Sequence, residues 1–147
     1  MLGFRDFGKA LEEADRAGGD DPARRLHEQA RAYVRFALEN PARFQLMFRH
    51  DKQDLTNQEF VEVAHRSYLV LEGAVRAATG TAAGQELSAE AVGFLQATWS
   101  IVHGFSHLAL GGELNDRTRG PAGTEEILSR ILPLVLVHLP KPVRSDS

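Results

Sequence analysis

The residues best able to do chemistry in this chain lie close together: Trp99, Ser100, His103, Ser106 and His107 fall within a run of nine. His103 and His107 stand at i and i+4, so a helix would put both imidazoles on one face. Elsewhere Glu62-Val63-Ala64-His65 reads as Glu-x-x-His. A di-iron bundle needs two such units and two further glutamates, and only one unit is present here. Residues 91–112 carry no carboxylate, and no third ligand is well placed for a closed zinc site. We therefore expect no metal and no cofactor. Ser100 and Ser106 share a helix with the histidines, with neither a strained elbow nor an orienting acid, so we expect no enzyme either.

Two non-catalytic roles suit these residues. Trp99 and His103 would stand on a pocket wall, with His103 as a polar anchor for a ligand, or they are a core indole and a core histidine bonded to a neighbouring helix. Phe44, Met47, Phe48 and Tyr68 would line an apolar cavity between helices, or fill a plain core. The expected ligand-binding set is Phe44, Phe48, Tyr68, Trp99 and His103. The alternative is a haem-binding, globin-like protein. Asn40-Pro41-Ala42-Arg43-Phe44 suits a globin corner, and His65 and His103 would be its distal and proximal pair. The glycines and the His103-Gly104 step make 91–112 a poor haem-ligand helix.

The element that must hold these residues is the stretch AVGFLQATWSIVHGFSHLALGG at 91–112, which lacks Pro, Asp, Glu, Lys and Arg. On a 3.6-residue helix, Phe94, Leu95, Trp99, Ile101, Val102, Phe105 and Leu108 cover a broad apolar arc. Gly93, Gln96, Ala97, Ser100, His103, Gly104, His107 and Gly111 fall in a small, partly polar sector. We expect this to be the central helix, with the small sector meeting another helix or subunit. The last helix, 127–139, carries Ile127, Leu128, Ile131, Leu132, Leu134, Val135, Leu136 and Leu139, more apolar surface than closing a monomer needs. Two such helices per subunit would form a four-helix homodimer interface. Its expected residues are Ala97, Ser100, Gly104, His107, Gly111, Leu128, Leu132, Val135 and Leu136. Such an isologous contact would bury about 2,000 Å² or more. His107 would lie near the two-fold axis, where protonating both copies is unfavourable and acid promotes dissociation.

Apolar residues elsewhere also recur at helical spacing. Phe4, Phe7, Ala10, Leu11 and Ala14 form a first stripe, ended by Gly18-Gly19. Asp20-Asp21-Pro22 caps a second helix bearing Leu26, Ala30, Tyr33, Val34, Ala37 and Leu38. Asn40-Pro41 stops it and begins a short third helix with Phe44, Met47 and Phe48. Residues 50–57 form a polar loop. A fourth helix carries Phe60, Val63, Ala64, Ser67, Leu71, Ala74, Val75 and Ala78. GTAAGQ at 80–85 is expected to be a flexible connection, and Ser88 caps the 91–112 helix. A Gly-rich loop at 111–123 precedes Thr124, Glu125 and Glu126, which open the last helix. Pro133 should bend that helix by crowding the carbonyl of Ser129. No segment alternates with period two for long, so the fold class is all-α, one domain over 1–140 with a disordered tail at 141–147.

Composition narrows the function. With 147 residues, one core suffices. Net charge is −3 from 17 basic and 20 acidic residues, which argues against duplex DNA as a partner of this chain alone. There is no cysteine, hence no disulfide or thiolate, as suits a reducing, cytoplasmic setting. Residues 91–112 would just span a bilayer, but Gln96, Ser100, His103, Ser106 and His107 would then need partners in lipid, so no membrane is expected.

Two passages resemble the tetracycline-repressor family of transcriptional regulators. AYVRFALENPARFQLMF at 32–48 is similar to the tyrosine, phenylalanine, asparagine-proline, phenylalanine, methionine-phenylalanine stretch of that family's C-terminal domain. Trp99-Ser100-Ile101-Val102-His103-Gly104 matches the Trp, His-Gly pattern of its WHG subgroup. The resemblance covers residues 4–139. It implies a six-helix domain that binds a small, largely apolar effector and dimerises through a four-helix bundle, so controlling DNA binding. The family reads DNA through an N-terminal helix-turn-helix that would precede the first helix here. Nothing in these residues resembles its recognition helix. DNA is therefore an expected partner only through that missing module.

Overall fold

Local signals set the ends of the helices. The computed structural model describes residues 2–48, 58–114 and 123–142, with the backbone alone at 2–4, 59–60 and 63–64. The expected core roles of Phe4, Phe60, Val63 and Ala64, the loop at 50–57, most of the loop at 111–123, and the tail beyond Pro142 lie outside what is described. Helix α1 (Leu2–Ala17) leads into α2 (Pro22–Glu39) through Gly19, whose φ of 61° is open to glycine at no steric cost. The Asp21 carboxylate accepts from the N–H groups of Ala23 at 3.0 Å and Arg24 at 3.4 Å, and Pro22 occupies the first turn. Asn40 closes α2 by donating both its backbone N–H and its side-chain amide to the Phe36 carbonyl. Pro41 then starts α3 (Pro41–Met47).

Helix α4 (Gln58–Thr79) is followed by the 80–85 segment, which is tied down rather than loose. The Arg76 guanidinium donates to the carbonyls of Ala82 at 3.0 Å and Gln85 at 2.6 Å, and Gln85 Oε1 accepts from the Ala82 N–H. This corrects the expected flexible connection: a cation in the last turn of α4 satisfies carbonyls that a free loop would leave to water. Ser88 Oγ accepts from the Ala91 N–H to cap α5 (Ala89–Gly111), and Gly112 ends that helix with φ 80°.

The last helix is interrupted. A single turn, α6 (Thr124–Glu126), passes into a π-helical turn (Ile127–Ile131) and then into α7 (Leu132–Leu136). Pro133 has no N–H for the Ser129 carbonyl, and the Leu132 N–H reaches five residues back to Ile127. The expected simple bend is thus a widened turn just before the proline. No strand occurs among the described residues, and the chain is all-α.

Helix α2 is the true centre. It touches α1, α3, α4, α5 and every part of the last helix, whereas α5 packs mainly on α2 and α4. Residues 91–112 thus form a core helix but not the hub: one face of α5 lines the core, and the small sector expected to meet another helix or subunit is uncovered within this subunit. The main core joins Phe7 and Leu11 to Val34, Phe36, Phe44, Val102, Phe105 and Leu132. A smaller one joins Leu26, Ala74, Val75, Phe94 and Leu95. A polar node locks α1, α2 and α4 together. Arg25 makes a forked ion pair with Asp15 (2.8 and 3.0 Å), and buried Gln29 donates to Asp15 at 2.7 Å and to the Val70 carbonyl at 3.2 Å. The α1–α2 approach is close enough that a Cβ on Gly18 would lie 2.5 Å from the Arg25 Cα.

Candidate effector site and open helix face

Tyr33 sits on the inner face of α2, almost wholly buried, and a buried phenol needs a hydrogen-bond partner. It has two. Its hydroxyl lies 2.5 Å from His103 Nδ1, and Trp99 Nε1–H donates to it over a longer 3.4 Å. One turn further along α5, His103 Nε2 meets His107 Nε2 at 2.9 Å.

Indole can only donate, so the Tyr33 oxygen accepts from Trp99. That oxygen keeps a second lone pair, so the hydroxyl either donates to His103 Nδ1, with the histidine proton on Nε2 facing His107, or accepts from an Nδ1–H. The chain runs Trp99 to Tyr33 to His103 to His107, with Tyr33 its buried member and exposed side chains at both ends. Burial first and the neighbouring His107 second hold the His103 imidazole down to about 4. Burial likewise pushes the Tyr33 phenol well above its ordinary range, against a small opposing effect of the Trp99 bond, so it remains neutral.

Aromatic rings enclose this chain. Phe44 and Phe48 meet at a tilt with centroids 4.9 Å apart, Phe48 stands edge-on to His103 at 4.7 Å, and Phe44 contacts Tyr33 at 5.6 Å. Phe7 of α1 closes the far side of Tyr33 at 5.0 Å. The rings come from α1, α2, α5 and the α3 end of the chain, where Asn40 and Pro41 turn the backbone so that Phe44 and Phe48 face α5.

Residues 26–133 match the family described as "Tetracyclin repressor-like, C-terminal domain". The chain belongs to that family. Comparison with curated proteins and with solved structures gives no match. A tetracycline repressor-like C-terminal domain is the regulatory part of a transcription regulator, serving ligand binding and dimerisation rather than catalysis. No described helix is long and apolar enough to cross a membrane.

Against this family, the expected residues fall as follows. Phe44, Phe48, Trp99 and His103 of the ligand set come together around Tyr33. Tyr68 does not: it is 40% exposed on α4, outside the ring cluster. The rings touch one another, so the cluster as it stands is filled by its own side chains. Both nitrogens of His103 are engaged, by Tyr33 and His107, and His65 is exposed on α4, an arrangement ill-suited to the distal and proximal pair of a globin.

The interface set divides. Ser100, Gly104, His107 and Gly111 are exposed and Ala97 is half-buried, along an uncovered strip of α5. Val92, Trp99 and Leu108 flank that strip and are also exposed. An added Cβ at Gly93 or Gly104 would meet nothing within 4 Å. Leu128, Leu132 and Leu136 are turned into the subunit's own core, which corrects their assignment to a partner surface. The physical reason is packing: the i, i+4, i+8 spacing puts all three on one face, and the last helix lays that face on α2 and the main core. Leu134 and Val137, each about two-thirds exposed, take the outward positions, with Val135 half-buried beside them.

Tyr33 itself was not foreseen as a site residue. A lone phenol in an otherwise apolar stripe of α2 is the signal that marks it, since its hydroxyl must find a partner on a facing helix.

Proposed function

We propose that this domain binds a small, largely apolar effector at the aromatic cluster around Tyr33 and pairs with a second copy through the open strip of α5. In this reading, Phe44, Phe48, Trp99 and His103 form the ligand wall, with the Tyr33 hydroxyl and the His103 imidazole as its polar groups. Tyr68 stands outside the wall. The strip from Gly93 to Gly111, together with Leu134 and Val137, meets its own two-fold equivalent. DNA recognition belongs to a helix-turn-helix module of the parent regulator, which the domain controls by a coupling free energy between ligand and helix arrangement.

The carrying observation is the position of His103. It touches the aromatic cluster through Phe48 and Tyr33 and the open α5 strip through His107. A ligand that parts the rings must move the side chain that bonds to the strip. A panel of planar apolar compounds should raise the melting temperature, as any ligand selective for the folded state does. Trp99→Ala should abolish that rise, and exposed Arg31→Ala should not. Equal shifts in the two variants would overturn the site. Light scattering tests the pairing separately.

A further inference from the structure

We propose that His103 and His107 form an open chelate for one divalent transition-metal ion of tetragonal preference, Ni²⁺ or Cu²⁺. Two imidazole nitrogens bound cis to such an ion, each about 2.0–2.1 Å from it, lie about 2.9 Å apart. The two Nε2 atoms are 2.9 Å apart here. The two nitrogens are already in hydrogen-bond contact, so ion binding would replace the shared proton and keep their separation.

Three further observations suit an ion. The other nitrogen of His103 rests on the Tyr33 hydroxyl, the outer contact that fixes a ligating imidazole in orientation. With the ion on Nε2, the Nδ1 proton would be donated to Tyr33, whose second lone pair still receives the Trp99 N–H. His107 is exposed and Gly104 leaves the space beside it open, so water can complete the coordination. The rings in contact with the pair are those of Tyr33, Phe44, Phe48 and Trp99, all uncharged, so none of them repels a cation.

The described residues hold no group of three or more His, Cys, Asp or Glu that would close a tetrahedral cage. An open tetragonal site needs only the two nitrogens and solvent. The site shares His103 with the proposed effector wall but uses only the Nε2 edge that faces His107, so metal binding can be tested with no effector present.

Calorimetric titration of the metal-free, untagged chain with Ni²⁺ at pH 7.5 tests it. We expect one saturable site with a dissociation constant in the micromolar range. His107→Ala should weaken it at least tenfold, whereas His65→Ala, on exposed α4, should leave it unchanged. His107 is exposed, so its variant should keep the helical circular dichroism of the parent. Cu²⁺ added to one equivalent should give an electron paramagnetic resonance spectrum with coupling to two nitrogens, reduced in His107→Ala. One ion per two chains, lost in His107→Ala, would support the pair as ligands and make the ion shared between copies. No saturable binding below 100 µM (about a hundredfold above the expected range), or binding unaltered in His107→Ala, would overturn the proposal.

Discussion

Tyr33 and His103 stand 70 residues apart in the chain and meet hydroxyl to Nδ1 at 2.5 Å. That bond links α2 to α5 through the imidazole that faces the open strip. Removing the hydroxyl leaves the Trp99 N–H and the His103 nitrogen without their partner in a part-buried place. Tyr33→Phe should therefore destabilise the domain by about 1–3 kcal/mol, the cost of stranding such groups. Urea unfolding of the two proteins, compared at equal m-value, checks this. A variant as stable as the parent would show that water replaces the phenol at no cost.

Acid should weaken the fold through His103. Its folded value of about 4 lies below the ordinary 6.5, so between these values the unfolded chain binds the extra proton and the folded one does not. Stability is then fully present above pH 6.5 and is lost as pH falls toward 4. Allowing for partial exposure, the loss attributable to this residue is on the order of 1–2 kcal/mol. Unfolding free energies measured from pH 7.5 down to 4.5 should fall, and in His103→Gln the fall should be shallower. An identical pH profile would assign the acid sensitivity to other groups.

The dimer prediction is sharper with the structure in hand. A Cβ at Gly104 would meet nothing within 4 Å in the subunit, so Gly104→Leu should leave the monomer's helicity intact. If α5 pairs with its copy there, the same change should weaken association by about 1–3 kcal/mol through overpacking. Multi-angle light scattering should find the parent dimeric at micromolar concentration and the variant shifted toward monomer. A parent that is monomeric under those conditions would sink the pairing. A variant still fully dimeric would move the contact to the exposed Leu134 and Val137.

Two glycines should respond oppositely to alanine. At Gly18 the new Cβ would lie 2.5 Å from the Arg25 Cα and 2.6 Å from its N, backbone that cannot swing away. Gly18→Ala should force α1 and α2 apart, disturb the Asp15–Arg25–Gln29 node and cost about 1–3 kcal/mol. At Gly73, inside α4, the nearest atom is the flexible Arg25 guanidinium at 3.7 Å. Gly73→Ala should be neutral or stabilising by up to about 1 kcal/mol, from helix propensity alone. Thermal melts of both variants decide the matter. A stable Gly18→Ala would mean that the helix ends are less closely held than their geometry implies.

Much of the architecture was legible in the chain itself. Helix ends are written in short-range chemistry: Asp21 before Pro22, Asn40 before Pro41, Ser88 before α5, Gly19 and Gly112 at positive φ. Such signals act over two to four residues, so the sequence by itself determined the all-α class and where most helices among the described residues start and stop. The tyrosine-to-methionine-phenylalanine passage and the Trp99, His103-Gly104 pattern likewise carried the family, because both are runs of local sequence. Tertiary structure alone decided which partners those helices offer one another. The Tyr33–His103 bond, the forked Asp15–Arg25 pair and the enclosure of α2 rather than α5 depend on contacts between helices, which periodicity cannot register. The last helix shows the same division most plainly. Its apolar residues were evident, and i, i+4, i+8 spacing puts Leu128, Leu132 and Leu136 on one face, but only packing on α2 and the core decided that this face turns inward and leaves Leu134 and Val137 outside. A helical projection shows which residues share a face, not which neighbour that face meets.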